Sequence, residues 1–125
     1  MITVTFASIN DRVHHRGTVY TACTTLVGKE RNIDVLSPTK ELVYGHKSYT
    51  GDTRFRNYPP ISNQEYTRQY AKLLKSRAVD IRKWIDSIEG DCTIVCFCPS
   101  GKFCHRVLLS KWFKSYRSDL NIQLF

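Results

Sequence analysis

Eleven consecutive residues carry most of the side chains in this chain that could do chemistry: Cys96-Phe97-Cys98-Pro99-Ser100-Gly101-Lys102-Phe103-Cys104-His105-Arg106. They supply thiols, an imidazole that titrates near neutrality, and two cations around a glycine. Gly101 allows a ligand close to the backbone. Lys102 and Arg106 add positive charge, and an arginine can grip a phosphate through two donors. If a helix begins near Cys104, its first turn gathers exposed N–H groups and the positive end of the dipole, an anion site to which the Ser100 and Gly101 backbone would add. A thiol placed there, beside cations, is pushed towards the thiolate.

Four readings of this segment compete. In the first it is a phosphate or nucleotide pocket, with Ser100, Gly101, Lys102 and Arg106 binding the ligand. In the second, Cys104 is a nucleophile with a histidine as base. Adjacent helical residues point about 100° apart, so His105 is poorly aimed at Cys104, and His14, His15 or His46 from another loop would serve instead. In the third, Cys96, Cys98, Cys104 and His105 hold zinc, although C-x-C-x5-C-H departs from the usual paired knuckle. In the fourth, Cys92, Cys96 and Cys98 are buried small hydrophobes and the loop is an ordinary connection; this is the preferred reading for those three cysteines. Two familiar loops are excluded by counting. A phosphatase loop needs Cys, five residues, then Arg; counting from Cys98 that place is Cys104 and Arg106 is two further on, while Gly101-Lys102 is followed by Phe103, which a Walker loop does not allow.

These residues need elements to position them. Residues 2–9 alternate and are rich in β-branched and aromatic types, which predicts a strand, and Thr18 to Thr24 predicts a second. Residues 28–61 show little period; Ile33 to Leu36 and Leu42 to Tyr44 are candidate short elements, and the rest reads as an excursion facing substrate or partner. Ser62-Asn63-Gln64-Glu65 is a capping-box pattern that opens a helix. Tyr66, Tyr70, Leu73 and Leu74 share a face of it, and Val79, Ile81, Trp84, Ile85 and Ile88 continue the pattern past a break near Arg77-Ala78, with Gly90 as the stop. Cys92 to Cys98 is short and nearly all apolar, a strand buried on both faces. Cys104 to about Tyr116 has Val107, Leu108, Trp112 and Phe113 at helical spacing, and Asn121 to Phe125 closes as a strand. Strand, helix, strand makes a right-handed βαβ unit. The fold expected is α/β, one small sandwich domain over residues 1–125, with a mixed, mainly parallel sheet and flanking helices. The Cys104 loop then lies at the carboxyl end of a strand, where open α/β sheets bind ligands.

Composition narrows the setting. The chain has 125 residues, 42% hydrophobic and 24% charged, which excludes disorder and fibres. Nineteen Lys and Arg against eleven Asp and Glu give +8, a surface that attracts phosphate in nucleotides or nucleic acid. Five cysteines, an odd number without a secretion signal, argue against a disulfide framework. No apolar run approaches the roughly 20 residues of a membrane span, so a soluble, cytoplasmic protein with no membrane contact is expected.

The run from Cys96 to Arg106, with Val107-Leu108-Leu109 and Trp112-Phe113 after it, resembles the C-terminal signature of the bacterial and phage domain-of-unknown-function family 488. Its members end in an apolar strand, a Cys, a Pro/Gly loop, then Phe/Trp-Cys-His-Arg and an apolar helix. Ile2-Thr3-Val4-Thr5-Phe6-Ala7-Ser8 is similar to that family's opening strand. The resemblance implies a small α/β sandwich and marks Cys104, His105 and Arg106 as recurrent site residues; the segment from Gly45 to Pro60 departs from it. With the small size, this family company suggests a phage-encoded protein that sequesters a signalling nucleotide. Outside the signature, His14 and Arg16 follow the first strand and would complete the pocket if their loop reaches the same sheet edge. Arg54 and Arg56, with Tyr49 and Tyr58 interleaved, would suit a base and a phosphate, but an ordinary loop that holds two arginines is the preferred reading there. The expected function is therefore binding of a phosphorylated, nucleotide-like ligand at residues 98–106, with no cofactor and no metal. The alternatives are an enzyme acting on a nucleotide or nucleoside, with Cys104 and His105 catalytic, and a basic nucleic-acid-binding accessory protein.

Overall fold

The structure, a computed structural model, describes residues 1–22, 32–96 and 105–125. The alternating opening segment forms β1 (Thr3–Ser8), and the apolar run forms β3 (Cys92–Cys96); every residue of both is buried. Burial on both faces is what a central strand of a parallel sheet demands. β2 (Thr18–Thr21) and β4 (Asn121–Leu124) complete the order β2-β3-β1-β4. Phe6 on β1 lies opposite Ile94 on β3 and Leu124 on β4, and Tyr20 on β2 also faces Ile94. The α/β architecture with its mainly parallel sheet is as expected. The one refinement is that every strand pairing among the described residues is parallel, so the sheet is not mixed.

Strand order dictates where the connections run. From β1 the chain moves across β3 to β2, then reverses through β3 to β4. Right-handed crossovers that step in opposite directions lie on opposite faces of a sheet. The β2–β3 and β3–β4 connections therefore share one face, and residues 9–17, between β1 and β2, take the other. The side chains agree. Val4, Phe6, Cys92 and Ile94 join one apolar cluster with Tyr70, Ile81, Ile85, Leu109 and Phe113 from the helices. Phe6 and Phe113 meet edge to face at 5.1 Å. On the opposite face, Thr93 Oγ1 accepts from the Arg16 N–H and donates to the Arg16 carbonyl, pinning the short connection to β3. Gly17 makes that approach with φ at +62°, and a Cβ there would fall 1.9 Å from the Asp91 carbonyl oxygen. Only glycine tolerates both constraints.

The helical layer begins in the stretch that lacks periodicity. The short element expected at Ile33 to Leu36 is a 3-10 turn (Asp34–Leu36), whereas the one expected at Leu42 to Tyr44 is part of a full helix, α1 (Lys40–Tyr49), capped by Thr39, whose hydroxyl accepts from the Leu42 N–H. Gly45 hides this helix from propensity, because glycine weakens a helix interior. It is there for packing: a Cβ would lie 2.6 Å from Ile61 Cδ1 and 2.9 Å from the Pro59 carbonyl oxygen. α2 (Asn63–Ser76) starts at the expected Ser62 cap, which accepts from the Glu65 N–H at 3.2 Å. Only that half of the capping box is used; the Glu65 carboxylate turns to Arg68 and Gln69, which hold its pKa down to about 2. The break near Arg77 separates α2 from α3 (Ala78–Asp86) as expected. It leaves the Arg77 guanidinium donating to the Asp34, Val35 and Ser37 carbonyls, which closes the 3-10 turn. α3 stops at Ser87 rather than Gly90, whose φ is not positive. Finally α4 (His105–Tyr116) crosses from β3 to β4.

Candidate functional site at the carboxyl edge of the sheet

The residues described after β1, β2 and β3 meet at one edge. Ala22 follows β2, His15 sits beyond β1, and His105 and Arg106 open α4 after β3. Burial fixes how α4 is turned. Its inward face carries His105, Arg106, Leu109, Ser110 and Phe113. Val107, Leu108 and Trp112, which helical spacing assigns to the core, are only half-buried. Three polar residues on the inner face, His105, Arg106 and Ser110, disguise the stripe.

His105 is 6% exposed and Arg106 2% exposed. The helix tip was expected to present both to a ligand; instead each reaches inward, because each lies on the face that packs on the sheet. The Arg106 guanidinium donates from Nε to the Phe125 main-chain oxygen at 3.0 Å and from Nη1 to Cys96 Sγ at 2.9 Å. It ties the end of β3 to the end of β4, and the expected role as an open phosphate clamp is replaced by this tie. Cys96 is buried as expected, with its sulfur serving as an acceptor.

The His105 ring is oriented by its surroundings. Nε2 lies 2.7 Å from the Ala22 carbonyl, and a carbonyl only accepts, so Nε2 carries the proton. Burial pushes the ring's pKa below the ordinary imidazole value; the nearby Cys96 sulfur and the Ala22 carbonyl act the other way, and Arg106 adds to the lowering. The ring is therefore neutral at pH 7, with Nδ1 as its acceptor nitrogen. Tyr70 packs edge-on against it at 5.5 Å. A cleft of about 180 Å³ opens beside it, between Tyr66, Thr67 and Tyr70 of α2 and Val107, Leu108 and Lys111 of α4. Lys111 is exposed at its rim. The half-buried Val107 and Leu108 thus line a cavity, and Leu108 also packs against the core. The i, i+4 spacing of Tyr66 and Tyr70 was a readable signal for its wall; Lys111 had none.

The loop after β1 reaches the same edge in part. His15 Nε2 donates to the Ser8 carbonyl at 2.9 Å, at the end of β1. His14 pairs with Asp11 at 2.8 Å and stacks on Phe125 at 3.8 Å, just beyond β4. Arg16 runs the other way: its guanidinium lies 3.9 Å from Asp91, before the start of β3, so the structure does not bring it to the carboxyl edge. The connection crosses the whole length of β3, which puts its first half at one end of the sheet and its second half at the other. His46 belongs to α1, where it meets Asn63 and Tyr66.

Ser100, Gly101, Lys102, Cys104 and Cys98 lie outside the described residues, as does Cys23. Among the described residues, no group of three or more His, Cys, Asp or Glu side chains is placed to hold a metal ion. No helix there is long and apolar enough to cross a membrane.

No curated protein and no solved structure matches the chain. A family model described as the active DUF488-N3 subclade, DUF488-N3a, matches residues 12–117, a span that takes in β2, β3, all four helices and the His105-Arg106 pair. The chain belongs to the DUF488 family.

Proposed function

We propose that this chain is a small cytoplasmic domain that binds a phosphorylated, nucleotide-like ligand at the carboxyl edge of its sheet, over the cleft between α2 and α4, with residues 98–106 completing the site. The observation that carries the reading is His105: a neutral imidazole, fixed in one tautomer, on the wall of a cleft at the edge where parallel sheets take ligands. The cleft alone, at about 180 Å³, is smaller than the roughly 300–1,000 Å³ of a typical ligand pocket, so the ligand extends past its mouth. Lys111 at the rim and Lys102 in the adjoining segment supply charge for the phosphate, and no acidic residue stands in the first turn of α4 to oppose it.

A second reading is an enzyme on a nucleotide or nucleoside, and the same histidine favours it. An imidazole whose Nε2–H is held by a carbonyl has its basic nitrogen defined, which a general base requires. The word "active" in the description of the matching family model points the same way. Cys104 and His105 would then be the catalytic residues, each acting on the substrate and not on the other.

Thermal unfolding with a panel of nucleotides, followed by chromatography of the recovered ligand, tests both. A raised midpoint with unchanged ligand supports binding; conversion that Cys104→Ala abolishes while binding persists supports the enzyme. If no nucleotide shifts the midpoint, or if Lys102→Ala with Lys111→Ala leaves every affinity unchanged, the carboxyl-edge reading fails.

A further inference from the structure

We propose that the surface built by α1 and the 3-10 turn Thr53–Phe55 is a platform for single-stranded nucleic acid, distinct from the cleft beside His105. Three rings form a cluster there. Tyr44 stacks on Phe55 with centroids 4.5 Å apart and planes 22° apart, and Tyr58 meets Tyr44 at 5.2 Å. None of the three belongs to the main apolar core or packs against it. All are partly exposed. Rings left at the surface are normally explained by the core they extend; these extend none.

Cations surround them. Lys47 Nζ lies 5.1 Å from the Phe55 centroid and Lys40 Nζ 5.7 Å from that of Tyr44. Arg54 also approaches Phe55, at 5.3 Å, but its guanidinium is engaged by Asp52. Arg56 is exposed one residue beyond Phe55. Residues 40–58 hold four Lys and Arg against two acids, Glu41 and Asp52. Lys40, Lys47 and Arg56 enter no ion pair among the described residues. Partly exposed rings among cations are complementary to a chain of alternating bases and phosphates. Stacking on a ring needs an unpaired base, which selects single strands over duplex. The flexible lysines lie over rings in the free protein and can move to phosphates when a base takes their place.

The test is fluorescence anisotropy of labelled oligo-dT with the full chain across a salt series. Binding is expected, with affinity falling as salt rises. Lys47→Ala with Arg56→Ala should flatten the log–log salt slope by about 1.4, the value for two lost phosphate contacts on a single strand, while Lys72→Ala with Lys75→Ala on the outer face of α2 should not. Tyr58→Leu should weaken oligo-dT about tenfold and leave inorganic polyphosphate binding unchanged. Quenching of ring fluorescence by oligo-dT but not by polyphosphate gives the same answer without a substitution. Absence of oligo-dT binding at low salt, equal effects of the α1 and α2 substitutions, or equal quenching by both polyanions would overturn the proposal. Lys111→Ala, which addresses the cleft, should leave oligo-dT binding intact, so the two sites fail independently.

Discussion

Thr5 sits in the middle of the sheet with its hydroxyl fully buried and without a hydrogen-bond partner. An unpaired buried hydroxyl costs on the order of 1–3 kcal/mol. Thr5→Val, which keeps the shape and the β-branch, is therefore expected to raise stability by about 1 kcal/mol; urea unfolding should show a higher midpoint at an unchanged slope. His105 sets a pH dependence. Because burial depresses its pKa in the folded chain, the unfolded chain takes up that proton first, near the ordinary value of about 6.5. The stability it contributes is complete above that pH and is lost as pH falls towards the depressed folded value. Wild type should lose unfolding midpoint between pH 7 and pH 5 more steeply than His105→Gln, which retains a donor for the Ala22 carbonyl. Equal slopes would show that the ring is not buried in its neutral form.

Two glycines decide how elements meet. Gly17 lets the short β1–β2 connection press onto the start of β3. Gly17→Ala forces an alanine into left-handed backbone and into the Asp91 carbonyl, so a loss of more than about 2 kcal/mol is expected. Gly90, with nothing within 4 Å of a Cβ, is the control, and Gly90→Ala should stay within about 0.5 kcal/mol. Gly45→Ala pits two effects against each other. Alanine gains up to about 1 kcal/mol of helix propensity. The overlap with Ile61 and the Pro59 carbonyl costs about 1–3 kcal/mol, so thermal unfolding should show net destabilisation. Gly45→Ala tests overlap alone, because its φ is ordinary, whereas Gly17→Ala combines overlap with a left-handed φ of +62°.

At the scale of the whole molecule, +8 of net charge sits over a fold whose helices share one face of a four-stranded sheet. A ligand held at 100 times its dissociation constant adds about 2.7 kcal/mol to the folded state. For a chain of 125 residues that is an unfolding midpoint about 10 °C higher. If the ligand is anionic, as proposed, raising salt well above 0.15 M should shrink the shift by screening charges at the cleft rim. A shift insensitive to salt would point to a neutral ligand.

The sequence by itself determined the elements whose signals are local. β1 alternates, β3 is apolar throughout, and Ser62 caps α2, so each is written in a few adjacent residues. A parallel sheet follows from β3, since a strand buried on both faces has few other homes. α1 was hidden because Gly45 answers to Pro59 and Ile61, contacts that no window around Gly45 reveals. The segment from Cys96 to Arg106 was also legible as the place where thiols, an imidazole and cations cluster in the sequence. What only the tertiary structure decided is which way its residues face. Arg106 and His105 turn inward because Cys96, Ala22 and Phe125 supply their partners from three other parts of the chain. Arg16 is carried to the far end of β3 because the connection must run back along the whole strand before β2 can pair in parallel. Local pattern reports the periodicity of an element. Its rotation, and the partners that await its polar side chains, are set by segments distant in sequence.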